Sequence, residues 1–181
     1  MQMLEHKFMQ HNNVLAVEGK GVISGYASLF DHADQGGDLV RPGAFTASLK
    51  RLADAGRAVK MLWQHDPTQP IGIWNDIRED ARGLWVKGRL LPDVARAREA
   101  QALIAAGAID GLSIGYRTER AVKATDGTRH LQQLDLWEVS LVTFPMLPTA
   151  RLNLTAKGDA PDPITTLCTA LREAAAQMHP D

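Results

Sequence analysis

Ser113 lies in the stretch Ile109–Arg117, Ile-Asp-Gly-Leu-Ser-Ile-Gly-Tyr-Arg, with Gly111 and Gly115 two residues to either side. Read as a strand, Leu112, Ile114 and Tyr116 point one way and Gly111, Ser113 and Gly115 the other, because side chains alternate with period 2. Two glycines on the serine's face leave its hydroxyl on nearly bare backbone, open to close approach by another chain. Attack on a peptide carbonyl needs that access. The same pattern also suits a strand whose small face packs under a helix. A serine hydroxyl is a weak nucleophile near neutral pH. It needs a base within hydrogen-bond reach, and that base needs orienting. Histidine suits the first task, with an ordinary pKa of about 6.5. A carboxylate on the far ring nitrogen suits the second, by fixing the tautomer and stabilising the imidazolium as it forms.

His65 closes the strand-like run Val59–His65, in which Val59, Met61, Trp63 and His65 share a face, and Asp66-Pro67 ends the run. That places His65 near solvent, either as a working side chain or as a core-edge histidine bonded to a carbonyl. Glu138 interrupts the apolar run Leu134–Val142, in line with Leu134, Leu136 and Val142. A carboxylate buried there is costly without a partner. An ion pair to Arg117 or Arg89 is one solution and a histidine is another.

The elements around these residues follow from pattern. Val14–Glu18 and Val22–Phe30 read as strands around Gly19-Lys20-Gly21. The small residues Ser24, Gly25, Ala27 and Ser28 place the second strand close to another element. Asp31–Asp38 is an aspartate-rich loop whose spacing does not match an EF-hand, so it reads as a solvated turn bonding local backbone. A helix over Ala44–Ala55 buries Phe45, Leu49, Leu52 and Ala53 and stops at Gly56. Ile71–Ile77 and Leu84–Leu91 form a hairpin, with Trp74 and Trp85 as core or cross-strand residues. A second helix runs from Pro92 to Ala106 on a stripe of Val94, Ala97, Leu103 and Ile104. The Ser113 strand reaches Val122, and a last strand covers Leu131–Thr143.

Composition bounds the rest. The 181 residues are 45% hydrophobic and 23% charged, enough for one domain with a core. A net charge of −1 gives no support for nucleic-acid binding, and no apolar run approaches the ~20 residues of a membrane span. The N-terminus has no signal-peptide core, and the one cysteine, Cys168, fits a reducing compartment. Nothing calls for a cofactor or metal. Residues 1–13 read as a mobile N-terminus, 14–154 as the folded domain, 155–163 as a linker and 164–181 as an amphipathic C-terminal helix.

Four blocks carry a family resemblance: Gly25-Tyr26-Ala27 through Phe30-Asp31, Gly37-Asp38 and Pro42-Gly43-Ala44-Phe45; Leu62-Trp63-Gln64-His65-Asp66; Gly111-Leu112-Ser113-Ile114-Gly115-Tyr116; and Trp137-Glu138 through Phe144-Pro145. In order and spacing, from about residue 14 to 152, they resemble the prohead maturation proteases of tailed bacteriophages, distant relatives of the herpesvirus assemblin proteases. The resemblance implies a serine endopeptidase acting inside the immature capsid, in the host cytoplasm. Its substrates would be the scaffold or the scaffolding segment of the major capsid protein, and often itself. It implies Ser113 as nucleophile and His65 as general base. Glu138 is the choice for third member, with His130 in reserve because the herpesvirus relatives use a second histidine. The implied fold is mainly β with flanking helices: a small closed or nearly closed β-barrel, in keeping with about seven strands counted above. A homodimer is plausible by the same analogy.

Rivals for each role are few. Ser48 falls on a helix, and Ser24 and Ser28 lie in a small-residue strand. Ser140 shares a face with Glu138 and reads as a supporting residue. Backbone N–H groups near Ser113, or Arg117, Arg120 or Arg151, are candidate oxyanion donors. A cysteine hydrolase fits poorly, since Cys168 lies beyond the linker. The reading from a different class is a catalytically inactive capsid-assembly or scaffolding protein with the same fold.

Overall fold

β7, Arg129–Val142, is the strand on which the others gather. The computed structural model describes residues 21–125 and 127–152. In chain order these form β1 (Val22–Leu29), β2 (Asp38–Val40), α1 (Thr46–Asp54), β3 (Lys60–Trp63), β4 (Asp66–Glu79), β5 (Gly83–Leu90), α2 (Ala95–Ala105), β6 (Gly111–Lys123) and β7. The fold is mostly β with two helices. The expected strand at Val14–Glu18, the linker and the C-terminal helix lie outside the described residues. Among the described residues the seventh strand is β2, a three-residue piece that overlaps the expected loop only at Asp38.

One seven-stranded sheet runs β1-β5-β4-β3-β7, with β6 along the far edge of β7. β2 and β3 share the near edge of β7, both parallel to it, at Arg129–Leu131 and Glu138–Leu141. Between them the β7 backbone is satisfied from α1 and the chain leading into it: Leu134 N–H donates to Ala44 O and Leu136 N–H to Ser48 Oγ, both at 2.9 Å. The sheet curls until its ends nearly meet. Arg151 bridges Gly111 at the start of β6, and Leu152 bridges Gly25 on β1. Leu112 N–H donates to Ala150 O at 2.8 Å, and Leu152 N–H to Asp110 O at 2.6 Å. A Cβ at residue 25 would lie 2.4 Å from Arg151 O, so the small face of β1 is the seam of a nearly closed barrel.

Inside the curl lie Ile23, Met61, Ile71, Leu84, Val86, Leu112, Leu131, Leu134, Leu136, Val139 and Leu141, all nearly inaccessible. Trp74 belongs to this core and donates its indole N–H to Val139 O. Trp85 instead lies opposite Tyr26, edge to face at 5.0 Å. Gly56 and Gly107 end the helices with φ of 61° and 70°. Two stripe residues are corrected: Ala53 and Leu103 are exposed, and α2 buries Ala97, Ala100 and Ile104. α2 is alanine-rich, and small side chains let its axis lie close to the sheet. The strand expected from Ile71, β4, starts at Asp66. Pro67 and Pro70 are tolerated because that end of β4 pairs on one side only, with β3.

Candidate active site

β3 stops at Trp63, so His65 is not a strand residue as expected. Trp63 pairs with Asp66, which leaves Gln64 and His65 as the two central residues of the β3–β4 turn. Two-residue hairpins favour turns with positive φ at both central positions, usually Asn-Gly. Here φ is 52° at Gln64 and 61° at His65, with no glycine present. Non-glycine residues in this region cost on the order of 1–3 kcal/mol each and persist only where surrounding bonds hold them. Those bonds come from β7 and the residue that follows it. Gln64 N–H donates to Leu141 O at 2.9 Å, Gln64 Nε2 to Thr143 Oγ1 at 2.9 Å, and His65 N–H to Ser140 Oγ at 3.2 Å.

Glu138 was expected in line with Leu134, Leu136 and Val142, and the structure corrects this. Gly115 pairs with Glu138 while the next residue, Tyr116, pairs with Leu136, so Trp137 is an extra, bulged residue. The bulge reverses the phase. Leu134 and Leu136 face the core on one side of it, Val139 and Leu141 on the other, and Glu138 and Ser140 turn to the outer face. Trp137, displaced by the bulge, is 59% exposed.

On that outer face Glu138 meets His65. Nδ1 of His65 lies 2.5 Å from Glu138 Oε1, and Ser140 Oγ donates to Glu138 Oε2 at 2.6 Å. A carboxylate can only accept, so Nδ1 carries the proton and Nε2 is left as the basic nitrogen. Neither Arg117 nor Arg89 pairs with Glu138. The hydrogen bond to Glu138 raises the His65 pKa above its ordinary 6.5, burial opposes this, and the carboxylate charge adds to the rise.

Ser113 lies directly opposite Ser140 in the β6–β7 register. Opposed residues of an antiparallel pair point to the same face, with Cβ atoms about 4.5–5.5 Å apart. The side chains of Ser113, Ser140, Glu138 and His65 therefore converge on one outer patch. Among the described residues, Ser113 Oγ has no hydrogen-bond partner, whereas Ser140 Oγ is engaged by both His65 and Glu138. Ser113 is only 6% exposed, and its flanking glycines are not open ground. A Cβ at Gly111 would meet Val142 O at 2.5 Å, and one at Gly115 would meet Glu138 Oε1 at 2.1 Å. The space beside the serine is taken by the protein's own groups.

Access comes from the strand edge instead. A cleft of about 150 Å³ is lined by Ser28, His32, Asp34, Asp38, Leu112, Ser113, Ile114, Tyr116, Met146 and Leu147, among others. Residues from both faces of β6 line it, so it opens along the edge of β6 away from β7. Ser113 thus stands between this cleft and the His65–Glu138 pair. The loop Asp31–Asp38 forms one wall. Asp34 Oδ1 accepts N–H bonds from Gly36 and Asp38, the local bonding expected of it. Asp38 is gripped by Arg129, which holds its pKa below the ordinary carboxylate value.

The other candidates lie apart. His130 is eight residues back along β7 from Glu138, about 25 Å in extended chain, and contacts Thr128. Arg117 and Arg120 are further along β6, and the Arg151 guanidinium is committed to Asp110 and Pro148 O. Sequence reasoning missed the parts of Gln64, Thr143 and Gly115. A Gln-His pair between two strand-like runs was the available signal for the turn.

Known proteins resemble this chain in sequence and in fold. The sequence pattern of the caudovirus prohead serine proteases matches residues 8–161. The chain belongs to that family. The prohead protease of Enterobacteria phage HK97 is 34% identical over 134 residues, 71% of this chain and 57% of that protein, so the chain spans little more than half the relative's length. The bacteriophage T4 capsid assembly protease, gp21, shares the fold. It superposes with a TM-score of 0.56 over 67% of this chain and 82% of the other, at 18% identity. The KSHV protease gives a weaker likeness, a TM-score of 0.48 over 74% of this chain and 64% of that one at 12% identity. Among the described residues, the outer patch brings a histidine, a carboxylate and a serine together on one face at His65, Glu138 and Ser113.

Proposed function

We propose that this chain is a serine endopeptidase that cleaves the scaffold, or the scaffolding segment of the major capsid protein, inside the phage procapsid. The observation that carries this reading is the 2.5 Å contact between His65 Nδ1 and Glu138 Oε1, beside a serine without a hydrogen-bond partner among the described residues. Family membership supports the capsid setting. The name of the T4 neighbour, a capsid assembly protease, supports the substrate class.

The chemistry runs as follows. A substrate segment lies in the cleft along the β6 edge with its scissile carbonyl over Ser113. His65 Nε2 takes the proton from Ser113 Oγ as the oxygen attacks the carbonyl carbon. Glu138 accepts the Nδ1–H bond and stabilises the imidazolium that results. The protonated His65 then gives its proton to the leaving amine, and the acyl-enzyme remains on Ser113. A water attacks with His65 again as base, releasing the new carboxyl terminus and restoring the serine. No cofactor is required. The chain's own Thr155–Pro163 segment, rich in proline and glycine, is a further substrate in this reading.

Co-expression with the cognate major capsid precursor tests the proposal, with wild type compared against Ser113→Ala by intact mass. Wild type trims the precursor and the variant leaves it whole. Trimming by both would place the nucleophile elsewhere. Trimming by neither, with procapsids still formed around the protein, would favour an inactive assembly role.

A further inference from the structure

We infer that Gly115 is a positioning residue for the His65–Glu138 pair: the absence of a side chain there is what lets the Glu138 carboxylate lie across β6 and reach His65. The inference rests on the reading of that pair as base and orienter.

Gly115 is the direct cross-strand partner of Glu138. A Cβ built on it would lie 2.1 Å from Glu138 Oε1, 2.7 Å from Cδ and 2.8 Å from Cγ. All three nearest atoms belong to this one side chain. The oxygen that a Cβ would displace is the same Oε1 that lies 2.5 Å from His65 Nδ1. Other strand glycines differ. Gly25, Gly83, Gly88 and Gly111 would each strike a neighbouring backbone carbonyl first, and Gly72 would meet both Met61 Sδ and the Arg89 carbonyl, so their absence of side chain serves strand packing. Gly115 does not sit in the left-handed region, so an alanine suffers no backbone strain there. Only the flexible Glu138 side chain has to move. The bulge at Trp137 turns Glu138 to the outer face, and Gly115 then sets how flat it lies against the sheet.

The test is a double-mutant cycle between Gly115→Ala and Glu138→Ala, measured as kcat/KM on the capsid precursor. It is joined by NMR titration of His65 in a Ser113→Ala background that cannot cleave itself. Gly115→Ala alone is expected to lower kcat/KM by about tenfold or more and to move the His65 titration down toward 6.5. In the Glu138→Ala background the same change is expected to do nothing further, since the group it acts through is gone. An unchanged His65 titration, or an equal loss in both backgrounds, would assign Gly115 to packing and overturn the inference. Should Gly115→Ala fail to fold, the Gly115→Ala/Glu138→Ala chain is expected to fold, because the clash is absent; failure of both would also overturn it. The titration needs no activity. Cleavage surviving in Ser113→Ala would place the nucleophile elsewhere while leaving the Gly115 result legible.

Discussion

Gln64 grips Thr143 at two points: its amide nitrogen donates to the Thr143 hydroxyl at 2.9 Å, and its amide oxygen accepts the Thr143 N–H at 3.4 Å. Thr143 follows the last residue of β7, so the grip fastens the turn that carries His65 to the strand that carries Glu138. Gln64→Ala removes it and leaves two positive-φ residues less well held. The expected result is a folded protein with kcat/KM reduced by about ten- to a hundredfold, consistent with looser placement of a general base. Gln64→Gly relaxes the turn but also loses the grip, and is expected to be no better. Peptide-cleavage kinetics beside a thermal melt separate this from unfolding.

Glu138→Gln tests the orienter. The Glu138 hydrogen bond holds the His65 pKa above 6.5. The base works only when neutral, so wild-type kcat/KM rises with pH through that raised value. In the variant the rise shifts to lower pH, while the plateau falls by about 10²–10⁴-fold as the wrong tautomer becomes accessible. The stability effect has a matching sign. A raised histidine pKa contributes stability below about 6.5 and loses it as pH climbs through the folded value. The difference in Tm between Ser113→Ala and Ser113→Ala/Glu138→Gln should therefore be larger at pH 5.5 than at pH 8.5.

Ser140→Ala separates support from nucleophile. Ser140 is fully buried, donates to Glu138 Oε2 and accepts from His65 N–H. Its loss leaves the part-buried His65 N–H without its acceptor, at about 1 kcal/mol. Cleavage should persist at reduced rate and remain wholly dependent on Ser113. Active-site labelling by a serine-directed phosphonate, mapped by peptide mass, should fall on Ser113 in both proteins.

Asp38→Asn probes the cleft wall. Arg129 bonds Asp38 and lowers its pKa, tying β2 to the start of β7. A depressed carboxylate pKa contributes stability above its unfolded value of 3.8 and loses it as pH falls through the folded value. Arg129 is half exposed, so the cost at pH 7 is modest, about 1 kcal/mol or less. The Tm gap between wild type and variant should narrow as the pH falls below 3.8.

Much of this was legible in the sequence, and the misses share a cause. Period-2 alternation found the Ser113 strand, and glycine stops found both helix ends. The same alternation put Glu138 on the wrong face, because the single residue added at Trp137 leaves no mark in an apolar run. His65 was placed on a strand because a Gln-His turn lacks the glycine that usually signals one; its positive φ is held by bonds from β7, which local sequence does not display. The glycines beside Ser113 were read as open access, yet Glu138 and Val142 fill that space from across the sheet. β2, three residues long, is defined by its partner more than by its own pattern.

The seam at Ala150–Leu152 also fixes how far the chain can be trimmed. These three residues supply the hydrogen bonds that join the start of β6 to β1, and Ser113 lies two residues beyond the first of those contacts. A cut anywhere past Leu152 spares the ring and keeps the serine in place. A cut before Ala150 removes the fastening from the outer edge of β6, which is then held at its start by β7 alone. On the proposed reading, position along the chain becomes a fuse: a cut in the Thr155–Pro163 segment leaves these contacts in place, and a cut before Ala150 removes them. Stepwise truncants ending at 160, 154 and 149 should show activity retained, retained and lost.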